Sequence, residues 1–100
     1  MERSDEELAG AARAGDSAAF DELMRRHERL VYRLAWSFAR DREAALDLTQ
    51  AAFLKAWRGL EGFRGDSGFK TWLLRIARNE ALNRAQRQAP LDLAGELDAD

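Results

Sequence analysis

The sequence has no cysteine, so neither a disulfide framework nor a cysteine-based zinc site can be built from it. It has one histidine, His27, which leaves no room for a His-rich metal site. Ser-His and Cys-His catalytic pairs lose their usual base for the same reason. β-Branched residues are scarce: Val31, Thr49, Thr71 and Ile76 are all there are. Sheets favour such residues and helices favour alanine and leucine, of which there are 19 and 14. The single proline, Pro90, leaves every earlier segment free to be helical. No apolar run approaches the roughly 18 residues of a membrane span. The N-terminus, Met1-Glu2-Arg3-Ser4-Asp5-Glu6-Glu7, is acidic and unlike a signal peptide. These absences predict an all-α cytoplasmic domain with no membrane insertion, no cofactor and no metal. At 100 residues there is room for one domain.

Four helices account for the pattern of what is present. Ser4 and Glu7 have capping-box spacing, which predicts a short helix over about 5–13 that stops at Gly15. Asp16 is positioned to cap a second helix over about 17–39. Its apolar face reads Phe20, Leu23, Met24, His27, Leu30, Val31, Leu34 and Phe38 at helical spacing. Asp41 introduces a third over about 42–59, with Leu46, Phe53, Trp57 and Leu60 as its apolar positions. Residues 59–68 hold four of the seven glycines and read as a loop. Ser67 is placed to cap a last helix over about 69–87, which carries Phe69, Trp72, Leu73, Ile76, Ala77 and Leu82. Residues 1–88 are thus one compact bundle, and 89–100 form an acidic tail or the start of a linker.

The formal net charge of −2 argues at first against a nucleic-acid partner. Position reverses that. Residues 70–88 hold five bases (Lys70, Arg75, Arg78, Arg84, Arg87) and one acid, Glu80, whereas 89–100 hold four acids and no base. Phe63, Phe69 and Trp72 lead the basic segment. Cations neutralise phosphates and aromatic faces stack on bases, so Phe63-Arg64-Gly65-Asp66-Ser67-Gly68-Phe69 reads as a loop for single-stranded nucleic acid. No serine has a base beside it, the carboxylates form no dyad, and there is no glycine-rich phosphate loop. No catalytic residue is expected, and the chain does not read as an enzyme.

Two longer stretches carry a family resemblance. Asp47-Leu48-Thr49-Gln50-Ala51-Ala52-Phe53-Leu54-Lys55-Ala56-Trp57 and Phe63 to Asn79 are similar to region 2 of an extracytoplasmic-function (ECF) sigma factor of bacterial RNA polymerase. Gly15 to Leu23 resembles the family's first segment, so the likeness spans about 5–88. The resemblance implies two working faces. On the third helix, Asp47, Gln50, Phe53, Leu54 and Trp57 match positions that dock on the clamp helices of the polymerase largest subunit. Ala51 departs from the acid the family commonly has there. On the loop and last helix, Phe63, Arg64, Asp66, Ser67, Phe69, Lys70, Trp72, Arg75 and Asn79 match the surface that melts the −10 promoter element and captures a flipped base of the non-template strand. The resemblance also implies an anti-sigma factor as a candidate partner, and a following helical domain for the −35 element, which this chain stops short of. A helical protein-interaction module that binds an anti-sigma factor without reading DNA is the alternative.

Overall fold

A computed structural model describes residues 2–88, with Gln88 described by its backbone alone. The order is α1 (Asp5–Arg13), α2 (Ser17–Ala39), α3 (Arg42–Arg58), a single 3-10 turn (Leu60–Gly62) and α4 (Phe69–Gln88). There is no strand among the described residues, and the four expected helices are all present. The acidic stretch 89–100 lies outside the described residues.

Local chemistry sets the helix starts. Ser4 Oγ accepts from Glu7 N–H at 3.1 Å while Ser4 N–H donates to Glu7 Oε1 at 2.9 Å, a reciprocal capping box. Those two bonds from Ser4, backbone first, hold the Glu7 carboxyl below its usual range. Asp16 and Asp41 cap α2 and α3 through Ala19 N–H and Ala44 N–H. Gly15 turns the chain between α1 and α2 at φ +110°, where a side chain would be strained. Ser67 does not cap α4. Its hydroxyl points to Gly68 O, and the Phe69 N–H is taken instead by Glu6 Oε2 at 3.1 Å.

The core gathers one face from every helix. Leu8, Ala9 and Ala12 of α1 meet Phe20, Leu23 and Val31 of α2, Ala52, Phe53 and Ala56 of α3, and Phe69, Leu73 and Ala77 of α4. Ala35, Ala45, Leu48 and Ala81 form a second cluster nearer the α2–α3 turn. Of the apolar positions expected for α3 and its end, Phe53 and Leu60 are buried, but Leu46 and Trp57 are exposed, and the rest of the buried seam runs Ala45, Leu48, Ala52 and Ala56. Ala45 and Ala56 each lie one residue, about 100°, from Leu46 and Trp57. Phe38 and Leu82, expected inside, are also exposed. His27, on the apolar face of α2, is half-buried, with Nε2 2.7 Å from Asp5 Oδ2.

Two candidate recognition faces

The first face is on α3. Steps of three and four residues align Gln50, Leu54 and Trp57 along one edge of a shallow groove against α2. Leu54 is 48% exposed and Trp57 39%, so both offer apolar surface to a partner. The Trp57 ring packs edge-on against Phe20, centroids 5.0 Å apart. Phe53 is a correction to the contact set. It is buried under the groove, T-shaped against Phe20 at 6.5 Å, and supports the surface without forming its outer face.

Asp47, on the same helix one turn earlier, is exposed but engaged. Its Oδ2 lies 2.6 Å from Arg84 Nη1 on α4. Arg84 Nε in turn donates to Glu80 Oε2 at 2.7 Å. Glu80 is only 4% exposed. Its other oxygen, Oε1, receives no hydrogen bond of good geometry, but Lys55 Nζ lies 2.5 Å away as an ion pair. Burial by itself would raise the Glu80 carboxyl. The close ammonium of Lys55 and the hydrogen-bonded guanidinium of Arg84 outweigh it and hold the group below its usual range. Arg84 is raised, first by its hydrogen bond to Glu80 and next by that to Asp47.

The second face is the 63–69 loop with the start of α4. An aromatic cluster lies beneath it. Phe63 packs perpendicular to Phe69 at 5.8 Å and tilted on Trp72 at 5.1 Å, and His27 sits 5.9 Å from Phe69. Phe63 is 5% exposed and Phe69 0%. Both were expected to face nucleic acid. Buried rings have no free face on which a base can stack, so both are corrected to supports of the loop. Trp72 is half-buried and keeps an open edge. Arg64, Asp66, Lys70, Arg75 and Asn79 are exposed, and Ser67 is half-buried. Gly65, at the tip, has φ +80°.

The basic character of α4 is narrower than its composition. Arg84 and Arg87 are drawn to Glu80. Arg64, Lys70, Arg75 and Arg78 make no ion pair among the described residues. Positive charge is therefore concentrated at the loop and the first half of α4.

Two contacts had no signal in the sequence. Arg13 Nη1 donates to Phe63 O at 2.6 Å and Glu6 accepts from Phe69 N–H, across 50 and 63 positions. No local spacing rule reaches that far. Trp36 is exposed and stacks on Tyr32 at 6.5 Å. It breaks no period and simply faces out.

Comparison with known proteins gives a consistent picture. The family model described as sigma-70 region 2 matches residues 23–90. The chain is 49% identical over 86 residues to the ECF RNA polymerase sigma factor SigM of Mycobacterium tuberculosis, covering 86% of this chain and 44% of that protein. It is 39% identical over 99 residues to the RNA polymerase sigma-H factor of Pseudomonas aeruginosa, covering 95% and 51%. To the ECF RNA polymerase sigma-E factor of Escherichia coli K12 it is 38% identical over 96 residues, covering 96% and 50%. The chain thus spans about half the length of the curated relatives it matches. Among solved structures, an engineered region 2 of sigmaE in complex with GTAAAA superposes with a TM-score of 0.80 at 34% identity, over 89% of this chain and 95% of that one. CnrH in complex with the cytosolic domain of CnrY superposes at 0.75 with 35% identity, over 92% and 61%.

Proposed function

This chain belongs to the sigma-70 region 2 family, in its ECF branch, and from that premise we propose that it docks on RNA polymerase with α3 and reads the −10 element with the 63–69 loop and α4. It acts by binding and makes or breaks no covalent bond. Residues 1–88 hold both tasks in one domain. The site of action is the cytoplasm, with the polymerase; no helix among the described residues is long and apolar enough to cross a membrane.

The observation that carries the DNA half is the likeness to the sigmaE region 2 bound to GTAAAA, at a TM-score of 0.80. The physical route is capture of a non-template base. A base that leaves the stack costs a few kcal/mol (on the order of 2–4). With Phe63 and Phe69 buried, that cost is offset elsewhere. Backbone groups near Gly65, whose positive φ lets the chain turn sharply, and the polar ends of Asp66, Ser67 and Asn79 offer base-edge hydrogen bonds. The open edge of Trp72 offers apolar contact. Arg64, Lys70 and Arg75 lie where they can hold phosphates on either side, with no internal acid to satisfy first.

The polymerase half uses Gln50, Leu54 and Trp57 as a mixed polar and apolar edge, with Asp47 at its end as a carboxylate for a partner's basic residue. Clamp helices, a coiled coil, suit a groove between two helices. A second reading, an interaction module for an anti-sigma factor, draws support from the likeness to CnrH bound to the cytosolic domain of CnrY. The two readings share the same exposed α3 surface and differ on DNA.

Fluorescence anisotropy with labelled GTAAAA and its single-base variants separates them. Base-dependent affinity at one or more positions supports the promoter reading. Equal affinity for every variant leaves the interaction module standing and removes base capture.

A further inference from the structure

The ends of the 63–69 loop are both held by α1. Arg13 Nη1 donates to the Phe63 carbonyl at 2.6 Å, and Glu6 Oε2 accepts from the Phe69 N–H at 3.1 Å. Glu6 and Arg13 are seven residues apart, two turns along one side of α1. Between the held ends, residues 64–67 make no backbone hydrogen bond among the described residues. The loop is therefore a span fixed at its two ends and unfastened between them.

α1 is itself fixed to the rest of the domain. Asp5 meets Arg26 Nη1 at 3.1 Å and His27 Nε2 at 2.7 Å, and Leu8, Ala9 and Ala12 are buried in the core. The Glu6 carboxylate also sits at the N-terminus of α4, where an anion is favoured by the helix dipole and by the unpaired N–H groups. Arg13 lies in the last turn of α1, with its guanidinium reaching across to the loop. The bracket thus has one anionic and one cationic foot, each on the backbone group of matching polarity.

We propose that Glu6 and Arg13 are positioning residues for the loop, and that by holding its ends they set how sharply the domain discriminates between bases. Neither touches nucleic acid in this arrangement. The stretch that matches the family model starts at residue 23, so Glu6 and Arg13 precede it while the backbone groups they hold lie within it. The inference rests on the reading of the loop given above. A loop that samples many conformations still meets phosphates through Arg64, Lys70 and Arg75, because charge tolerates displacement. Base-edge hydrogen bonds do not, since they weaken steeply with distance and angle. Loosening the ends should therefore remove selectivity before it removes affinity.

The test uses the full chain with Glu6→Ala, Arg13→Ala and the conservative Glu6→Gln. Two quantities are measured: amide hydrogen exchange in the free protein at Phe63 and Phe69, whose N–H groups are bonded at the two ends of the loop, and anisotropy with GTAAAA, its single-base variants and an unrelated hexamer. Exchange should quicken about tenfold or more, at Phe69 in Glu6→Ala and at Phe63 in Arg13→Ala. The ratio of affinities for the best and worst single-base variants should fall about tenfold toward unity. Affinity for the unrelated hexamer at low salt should stay within about twofold. Glu6→Gln keeps an acceptor oxygen and should restore most of the selectivity. A role in folding alone would lower binding of all oligonucleotides together, and that pattern overturns the proposal. Unchanged exchange overturns it too, as does quickened exchange with intact selectivity. Should the wild-type chain show no selectivity while the variants exchange faster, α1 does hold the loop and it is the base-reading role that fails.

Discussion

Arg84 Nη1 lies 2.6 Å from Asp47 Oδ2 and ties the exposed edge of α3 to α4. Asp47 is two-thirds exposed, so solvent screens the pair, and such surface pairs contribute about 0–1 kcal/mol. A partner's arginine can replace Arg84 at little cost. Asp47→Ala should weaken binding to the isolated clamp helices about fivefold or more while lowering stability by less than about 1 kcal/mol. Arg84→Ala, which frees the carboxylate, should leave that binding unchanged or tighten it. Both are read by calorimetric titration and urea unfolding. If the two variants weaken binding equally, the pair is structural and Asp47 is not a contact.

Phe53 and Leu54 are neighbours with opposite roles. Phe53→Ala should cost about 3–5 kcal/mol, because it empties a site packed against Phe20. Leu54→Ala, half-exposed at the groove edge, should change stability by under about 1 kcal/mol and still weaken clamp-helix binding. Thermal unfolding and the same titration check both. A Leu54→Ala variant with full affinity would move the docking surface off this groove.

Phe63→Ala is a poor probe of base capture, since removing a buried ring should destabilise the domain by about 3–5 kcal/mol. Asp66→Ala and Asn79→Ala are the informative variants. Each should keep the unfolding midpoint near wild type and lose about 1–3 kcal/mol of discrimination at one base position. Lys70→Ala should instead weaken all oligonucleotides and reduce the salt slope by about one unit.

Glu80 gives the domain an acid sensitivity. Its folded carboxyl is held below its unfolded value. The network's contribution is therefore complete above the ordinary carboxylate range, about pH 4, and drains away as pH falls through the depressed folded value. Glu80→Gln should lose about 1–3 kcal/mol at pH 7 and show a shallower fall in acid. Glu7 and Glu22 are lowered as well, Glu22 by Arg25 and then Arg26, so the informative readout is wild type minus Glu80→Gln across urea titrations at several pH values. Parallel curves would mean that Glu80 carries no linkage.

Gly65 isolates backbone strain, because nothing lies within 4 Å of a Cβ placed there. At φ +80°, Gly65→Ala should cost about 1–2 kcal/mol by conformation alone, and Gly65→Asn less. Gly62→Ala, also open but without positive φ, should be close to neutral. Chemical unfolding of the three variants tests that ranking.

Caps and helical period made the four helices legible, since Ser4, Asp16 and Asp41 act within three residues of themselves. On α3 the hydropathy pattern locates Phe53 and Leu60 correctly but puts Leu46 and Trp57 inside, because it weighs them above Ala45 and Ala52 while packing distance favours the smaller residues. The 63–69 loop stands out by its motif, yet two of its aromatics lie underneath it. Sequence shows that Phe63 and Phe69 are aromatic, not which way they point. Glu6 and Arg13 escaped because their partners are backbone groups more than four dozen residues away.

The alanine seam of α3 divides the helix into a part that is fixed and a part that can drift. At Ala45, Ala52 and Ala56, all fully buried, any larger side chain must push a neighbouring helix outward. On the other side Leu46, Gln50 and Leu54 are exposed and have room to vary. Substitutions at these outer residues can therefore alter the outer surface of α3 while the interior stays unchanged. Divergence at that surface is mechanically cheap here, and divergence in architecture is not.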